Sequence, residues 1–155
     1  MKLSALLDTV KTLIDAIYPP RCCVCNCFLH HDDVPGTATP LTPEKFEGRT
    51  RQQLFSTAMS SVMCRHCLED VSVVEPPLCP VCGVMFTSRE GIDHSCEQCH
   101  GSRRFFQSAR AVGIYQGALM TAVHRYKYHH KLILTEPLSD VWLSAVTRWF
   151  ASDEL

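Results

Sequence analysis

Eight of the ten cysteines fall into four Cys-x-x-Cys pairs: Cys22 with Cys25, Cys64 with Cys67, Cys79 with Cys82, and Cys96 with Cys99. Two thiolates on one tight turn supply two corners of a tetrahedron around a single soft cation, and a second such turn closes it. Pairing in sequence order gives a first site from Cys22, Cys25, Cys64 and Cys67. The second comes from Cys79, Cys82, Cys96 and Cys99. The short separation of Cys82 from Cys96 is close to a common zinc-ribbon spacing, whereas the halves of the first site lie far apart. Zinc suits four thiolates because it is redox-inert and asks only for tetrahedral geometry, so two Zn2+ ions are the expected cofactors. Gly83, directly after Cys82, allows the third knuckle to turn back after its second ligand.

Other chemistries share these residues. A disulfide scaffold needs an export signal, and a redox Cys-x-x-Cys normally comes singly at the start of a helix after a strand. Iron takes the same four thiolates, and spacing alone does not separate the two metals. Cys23 and Cys27 are left over. A slip of register would let either replace a ligand, but they read as spare thiols. His66, His94 and His100 lie near knuckles yet face sites already closed by cysteine, and His30 and His31 read as surface residues. A four-thiolate site carries formal charge −2, and Arg21, Arg65, Arg103 and Arg104 stand where they could offset it or donate to sulfur.

The elements that must hold these ligands can be sketched from pattern. Leu3, Leu6, Leu7, Val10, Leu13, Ile14 and Ile17 recur at helical spacing, interrupted by Asp8, Lys11 and Asp15. This predicts an amphipathic helix over 1–18, stopped by Pro19 and Pro20, and not a signal peptide. No run is apolar for long enough to span a membrane. With 155 residues, fifteen basic and sixteen acidic, net charge −1, the chain has no overall field that announces a nucleic-acid or membrane partner. A reducing cytoplasm is the expected location. Residues 19–102 form the metal region, with an insertion over 28–62. Within that insertion 43–61 has helical character, Thr42 or Thr50 as the cap and Phe46, Leu54, Phe55 and Met59 as its apolar face. From 103 to 155 cysteine disappears. Ala109 to Tyr115 reads as a short strand, and Ala118 to His130 and Pro137 to Phe150 read as helices. The expected class is therefore α+β: an N-terminal helix, a double zinc ribbon and the start of an α/β unit that the chain leaves incomplete.

The stretch Tyr18-Pro19-Pro20-Arg21-Cys22-Cys23-Val24-Cys25, with Met63-Cys64-Arg65-His66-Cys67-Leu68 and Pro77-Leu78-Cys79-Pro80-Val81-Cys82-Gly83, resembles the ComF family. So does Cys96-Glu97-Gln98-Cys99 leading through Phe105 and Phe106 to Ala109-Arg110-Ala111, Tyr115-Gln116-Gly117 and His124-Arg125-Tyr126-Lys127-Tyr128. The resemblance implies a double zinc ribbon joined to a phosphoribosyltransferase-like domain, a role in competence and DNA uptake, and single-stranded DNA or uptake proteins as partners. It does not extend to catalysis. The apolar strand ending in two acids and a Thr/Gly-rich turn, with which such enzymes hold a pyrophosphate-bearing sugar, is missing after Gly101. Asp32-Asp33-Val34-Pro35-Gly36-Thr37-Ala38-Thr39 mimics that motif but follows His30-His31 rather than an apolar strand. No catalytic residue is assigned.

One functional signal remains. Between Gly101 and Thr135 stand Arg103, Arg104, Arg110, Arg125, Lys127 and Lys131 with no acidic residue, interleaved with Phe105, Phe106, Tyr115, Tyr126 and Tyr128. Cations neutralise phosphates and aromatic rings stack on unpaired bases, so Arg103, Arg104, Arg125 and Lys127 are candidate phosphate or nucleic-acid contacts. The plainer account is an amphipathic helix with a basic wet face and core aromatics. Trp142 and Trp149 share one helical face and read as core or as surface awaiting a partner. Two further functions stay open: a phosphoribosyltransferase whose catalytic half is not in this chain, and a thiol redox protein.

Overall fold

A computed structural model describes residues 9–10, 12–14, 16–29 and 48–151. Residues 9, 10, 12–14, 16 and 17 are helical, and the helix gives way to a bend at Tyr18 before Pro19. Its earlier apolar positions, Thr42, Phe46, His30, His31 and the Asp32–Thr39 motif lie outside the described residues.

The first full helix, α1, is Arg51–Met59. Thr50, not Thr42, begins it, with a capping box: the Gln53 N–H donates to Thr50 Oγ1 at 3.1 Å and the Thr50 N–H to Gln53 Oε1 at 2.9 Å. Leu54, Phe55, Ala58 and Met59 are buried. This helix packs along α5, Thr135–Ala151, and the two are pinned at one end where Arg148 Nη2 donates to the Arg49 carbonyl at 2.8 Å. Two short helices, α2 (Arg65–Glu69) and α3 (Glu97–His100), each begin directly after a cysteine. The remaining helix, α4, is Gly117–Tyr128, and a 3-10 turn at Leu132–Leu134 joins it to α5. One core unites these parts: Cys22, Leu54, Phe55, Met59, Met63, Cys64, Val71, Ala118, Ala122, Leu134 and Val141 are all buried in one cluster. It draws on both the cysteine-rich region and the chain after Gly101.

The sheet content is smaller than the sequence suggests. Ala109 to Tyr115, expected as a strand, makes one antiparallel bridge, Val73 to Gly113, framed by Val74 N–H to the Val112 carbonyl and Ile114 N–H to the Ser72 carbonyl. Pro76 and Pro77 follow at once and have no N–H to extend the ladder. The other two bridges, Arg21 to Phe28 and Leu78 to Met85, close single knuckles. Among the described residues the chain is thus mainly helical, built around two cysteine clusters.

One long-range contact, to the Asp70 carboxylate, positions the start of α4. Gly117 has φ 51°, and a Cβ there would collide with the Asp70 carboxylate. That carboxylate occupies the place because Ala118 N–H donates to Asp70 Oδ2 at 2.9 Å, so a residue just past α2 caps α4 in place of Gln116, whose side chain makes no cap. At the other end Arg125 and Lys127 stand in the last turn, where cations meet the negative end of the helix dipole.

Candidate metal centres

The two clusters are the same local structure built twice. In the first, Cys22 N–H donates to the Cys27 carbonyl and Asn26 N–H to the Cys22 carbonyl, with Asn26 at φ 66°. In the second, Cys79 N–H donates to the Val84 carbonyl and Gly83 N–H to the Cys79 carbonyl, with Gly83 at φ 71°. The left-handed residue after the second cysteine reverses the chain in both. Glycine takes that conformation freely, and asparagine is among the few side chains that tolerate it. At Gly83 there is also no room for a side chain, since a Cβ would stand 2.5 Å from the Ala109 carbonyl oxygen.

The second half of each site is a helix start. Cys64 precedes α2 and Cys96 precedes α3, both in extended conformation, so the later cysteine of each pair lies one turn on along the same helix. The free N–H groups at these starts serve the opposite knuckle. Cys64 N–H donates to Cys22 Sγ and Cys96 N–H to Cys79 Sγ, each at 3.4 Å, and Val24 N–H adds a further donor to Cys22 Sγ at 3.4 Å. Backbone amides therefore do what the flanking arginines were expected to do. Arg65 instead pairs with Glu69 at 2.9 Å, and the Arg21 guanidinium lies over the Phe28 ring. His66 and His100 are exposed, and His94 stacks on Phe86 with ring centroids 3.9 Å apart.

At the second site the thiols of Cys79, Cys82, Cys96 and Cys99 all lie within 4.8 Å of one another. At the first, the group meeting that limit is Cys22, Cys25, Cys27 and Cys64. Cys67 falls outside that group but lies beside it, buried one turn along α2 from Cys64, where Cys64, Cys25 and Cys22 contribute to raising its thiol. Five thiols thus converge where four were expected. Cys27, read from the sequence as a spare thiol that a slip of register could make a ligand, does come to the site, because its place two residues after Cys25 on a reversing turn returns it toward the ligands. Cys23 stays apart, buried, its N–H bound to the Val62 carbonyl at 2.8 Å. Burial and then the neighbouring Cys22 push its thiol up to about 12.

Geometry and electrostatics both favour a cation at each centre. One thiol pair across each site, Cys25 with Cys64 and Cys82 with Cys96, stands 3.6 Å apart. A disulfide needs about 2.05 Å, whereas zinc–sulfur bonds of about 2.3 Å give a tetrahedral edge of about 3.8 Å. Cys25 is drawn down to about 6, first by the Cys27 amide and then by its thiol. Cys27 is pushed up to about 12 by hydrogen bonds to the Cys25 and Cys64 thiols, and burial, then the same shared hydrogen bonding, raises Cys67. Burial opposes ionisation of Cys79, but amide donors from Cys96, Cys82 and Val81 outweigh it and bring the thiol down to about 6. For Cys82 the Val84 amide favours the thiolate, yet burial and hydrogen bonds to Cys99, Cys79 and Cys96 prevail and raise it to about 12. Each cluster alone therefore keeps protons that a bound cation would displace.

The candidate phosphate contacts do not form one group. Arg103 and Arg104 are exposed in the segment after α3, next to Phe105, which is wholly exposed, and Phe106. Lys127 and Tyr128 are exposed at the end of α4. Arg125 turns inward and lines a cavity of about 400 Å³ with Arg21, Lys131, Tyr18, Asn26, the first-site residue Cys22 and its neighbour Cys23; no carboxylate lines it among the described residues. Arg110 is spent on structure, its Nη1 donating to the Pro80 carbonyl at 2.7 Å and so tying the second knuckle to the chain after α3. Trp142 is exposed while Trp149 is half-buried. No described helix is long and apolar enough to cross a membrane. Compared with protein-family models, with curated proteins and with solved structures, the chain matches none, so two cysteine clusters of metal-binding geometry are what the molecule itself establishes.

Proposed function

We propose that this chain is a zinc-structured binding module of ComF-like type, whose two tetrathiolate centres hold in place separate exposed pairings of basic and aromatic residues that contact single-stranded DNA. The observation that carries the reading is the repeated knuckle-and-helix unit, with thiol spacings that match a tetrahedral cation and not a disulfide. The ComF resemblance adds the competence role and the phosphoribosyltransferase-like character of the part after Gly101. Support for a nucleic-acid partner comes from exposed cations beside exposed rings: Arg103 and Arg104 with Phe105 and Phe106, and Lys127 with Tyr128. Such pairs offer phosphate neutralisation and base stacking together, with stacking worth about 1–3 kcal/mol per base. A scaffolding role without catalysis accords with the missing sugar-binding motif.

The test is fluorescence anisotropy of a labelled oligothymidylate with the zinc-loaded protein across a salt series. Binding that weakens steeply with salt, and that Arg103→Ala with Arg104→Ala reduces, is the expected result. No binding at low salt would remove the nucleic-acid role and leave the metal centres standing.

A further inference from the structure

The repeat makes the fifth thiol conspicuous. Cys27 occupies in the first knuckle the place of Val84 in the second, since each is the carbonyl acceptor for the amide of the first cysteine. Both side chains are exposed. By the same correspondence Cys67 matches Cys99, one helical turn after the cysteine that starts the helix. The first centre therefore has a counterpart in chain position for each cysteine of the second, but the thiol within 4.8 Å of Cys22, Cys25 and Cys64 is that of the surface residue Cys27, while Cys67 stands beside them on α2.

We propose that the first centre has two interchangeable fourth ligands, the buried Cys67 and the exposed Cys27, each completing the set Cys22, Cys25 and Cys64. This rests on the reading of the clusters as zinc sites. In the exchange one sulfur–metal bond forms at Cys27 and one breaks at Cys67. The proton that Cys27 gives up is taken by Cys67, so the charge of the centre is unchanged and no oxidant is involved. Its consequence is a division of labour: the second centre, with no reserve thiol, is fixed, while the first presents one ligand at the surface, where an external thiolate chelator can compete for the metal.

Cobalt substitution reads this directly, because tetrathiolate Co2+ has strong visible bands that weaken and shift when one sulfur is replaced by oxygen. In a protein loaded with two ions, Cys67→Ser is expected to retain the full tetrathiolate intensity. Cys99→Ser, and the double variant Cys27→Ser with Cys67→Ser, should each lose about half of it, one site of two. If Cys67→Ser alone loses as much as the double variant, Cys27 is not a ligand and the proposal is wrong. A second measurement needs no variant: alkylation of Cys27, followed by peptide mapping, should be several-fold slower with metal than after chelation. Equal rates would equally overturn the exchange. Absence of tetrathiolate bands from the unsubstituted protein would sink the zinc reading itself, which separates that failure from failure of the exchange alone.

Discussion

The two centres share a backbone plan but not an environment. Cys22, Cys64 and Cys67 of the first belong to the main core, with Phe55, Met59 and Met63. At the second only Cys79 is fully buried, and from Thr87 to Gln107 the chain is exposed apart from the half-buried Cys96 and Cys99. One set of ligands thus serves two different needs. Around the second centre there is little apolar surface to hold the loop together without a cation, whereas at the first a bound cation would support residues that the hydrophobic core already holds.

The comparison is broken or sharpened most forcefully by removing one ligand from each side. Cys22→Ser is expected to abolish cooperative unfolding of the whole chain, because structural zinc supplies roughly 10–16 kcal/mol of apparent binding free energy against a total stability of about 5–15 kcal/mol. Cys82→Ser should instead release the segment around residues 78–108 while the core still melts cooperatively. Hydrogen exchange mapped by mass spectrometry distinguishes the two. Global collapse in both variants would mean that the difference in burial has no energetic meaning.

Next in size is the core that only the first centre shares. Phe55→Ala should cost about 3–5 kcal/mol through the cavity it leaves, seen as a lower denaturation midpoint. Zinc affinity at the second centre, measured by chelator competition, should barely change.

Proton release comes third. Cys27 and Cys82, both raised to about 12 without metal, are protonated throughout pH 6 to 8 and must ionise when they bind. Cys25 and Cys79, lowered to about 6, are about half thiolate at the bottom of that window and almost wholly thiolate at its top. Apparent zinc affinity should therefore rise with pH, about tenfold per unit for each proton displaced from a raised thiol. Competition titrations at pH 6, 7 and 8 give the slope, and a flat profile would show that the free clusters are already fully ionised.

The turn residues give the finest test. Gly83→Ala, strained at φ 71° and crowded by the Ala109 carbonyl, should cost about 1–3 kcal/mol at the second centre. Asn26→Gly should be neutral or stabilising by less than about 1 kcal/mol, because glycine takes the same conformation more readily. Thermal melts of the zinc-loaded variants decide the order.

These residues also mark how far sequence reading reached. Knuckle spacing and the periodic helices were legible because they depend on local geometry: Ala118 to His130 became Gly117–Tyr128, and Pro137 to Phe150 became Thr135–Ala151. The strand at Ala109 to Tyr115 was misjudged because a strand needs a partner, and only Val73 and its neighbours were available. Leu54, Phe55 and Met59 were recognised as one apolar face, yet that they would pack on α5 depends on a contact between distant segments. The convergence of Cys27 depends on the φ of Asn26, which no spacing rule encodes, and the inward turn of Arg125 toward Arg21 and Lys131 follows from where α4 docks.

That docking runs through Asp70. The carboxylate stands immediately beyond the five-residue α2 and caps α4, while Cys64 and Cys67 frame the start and middle of the same short helix. A helix of so few residues has little stability of its own. Loosening its cysteines is thus expected to weaken the bond at Ala118 as well. The grip on sulfur at one end and the bearing of the basic helix at the other are therefore mechanically geared, with Asp70 as the tooth between them.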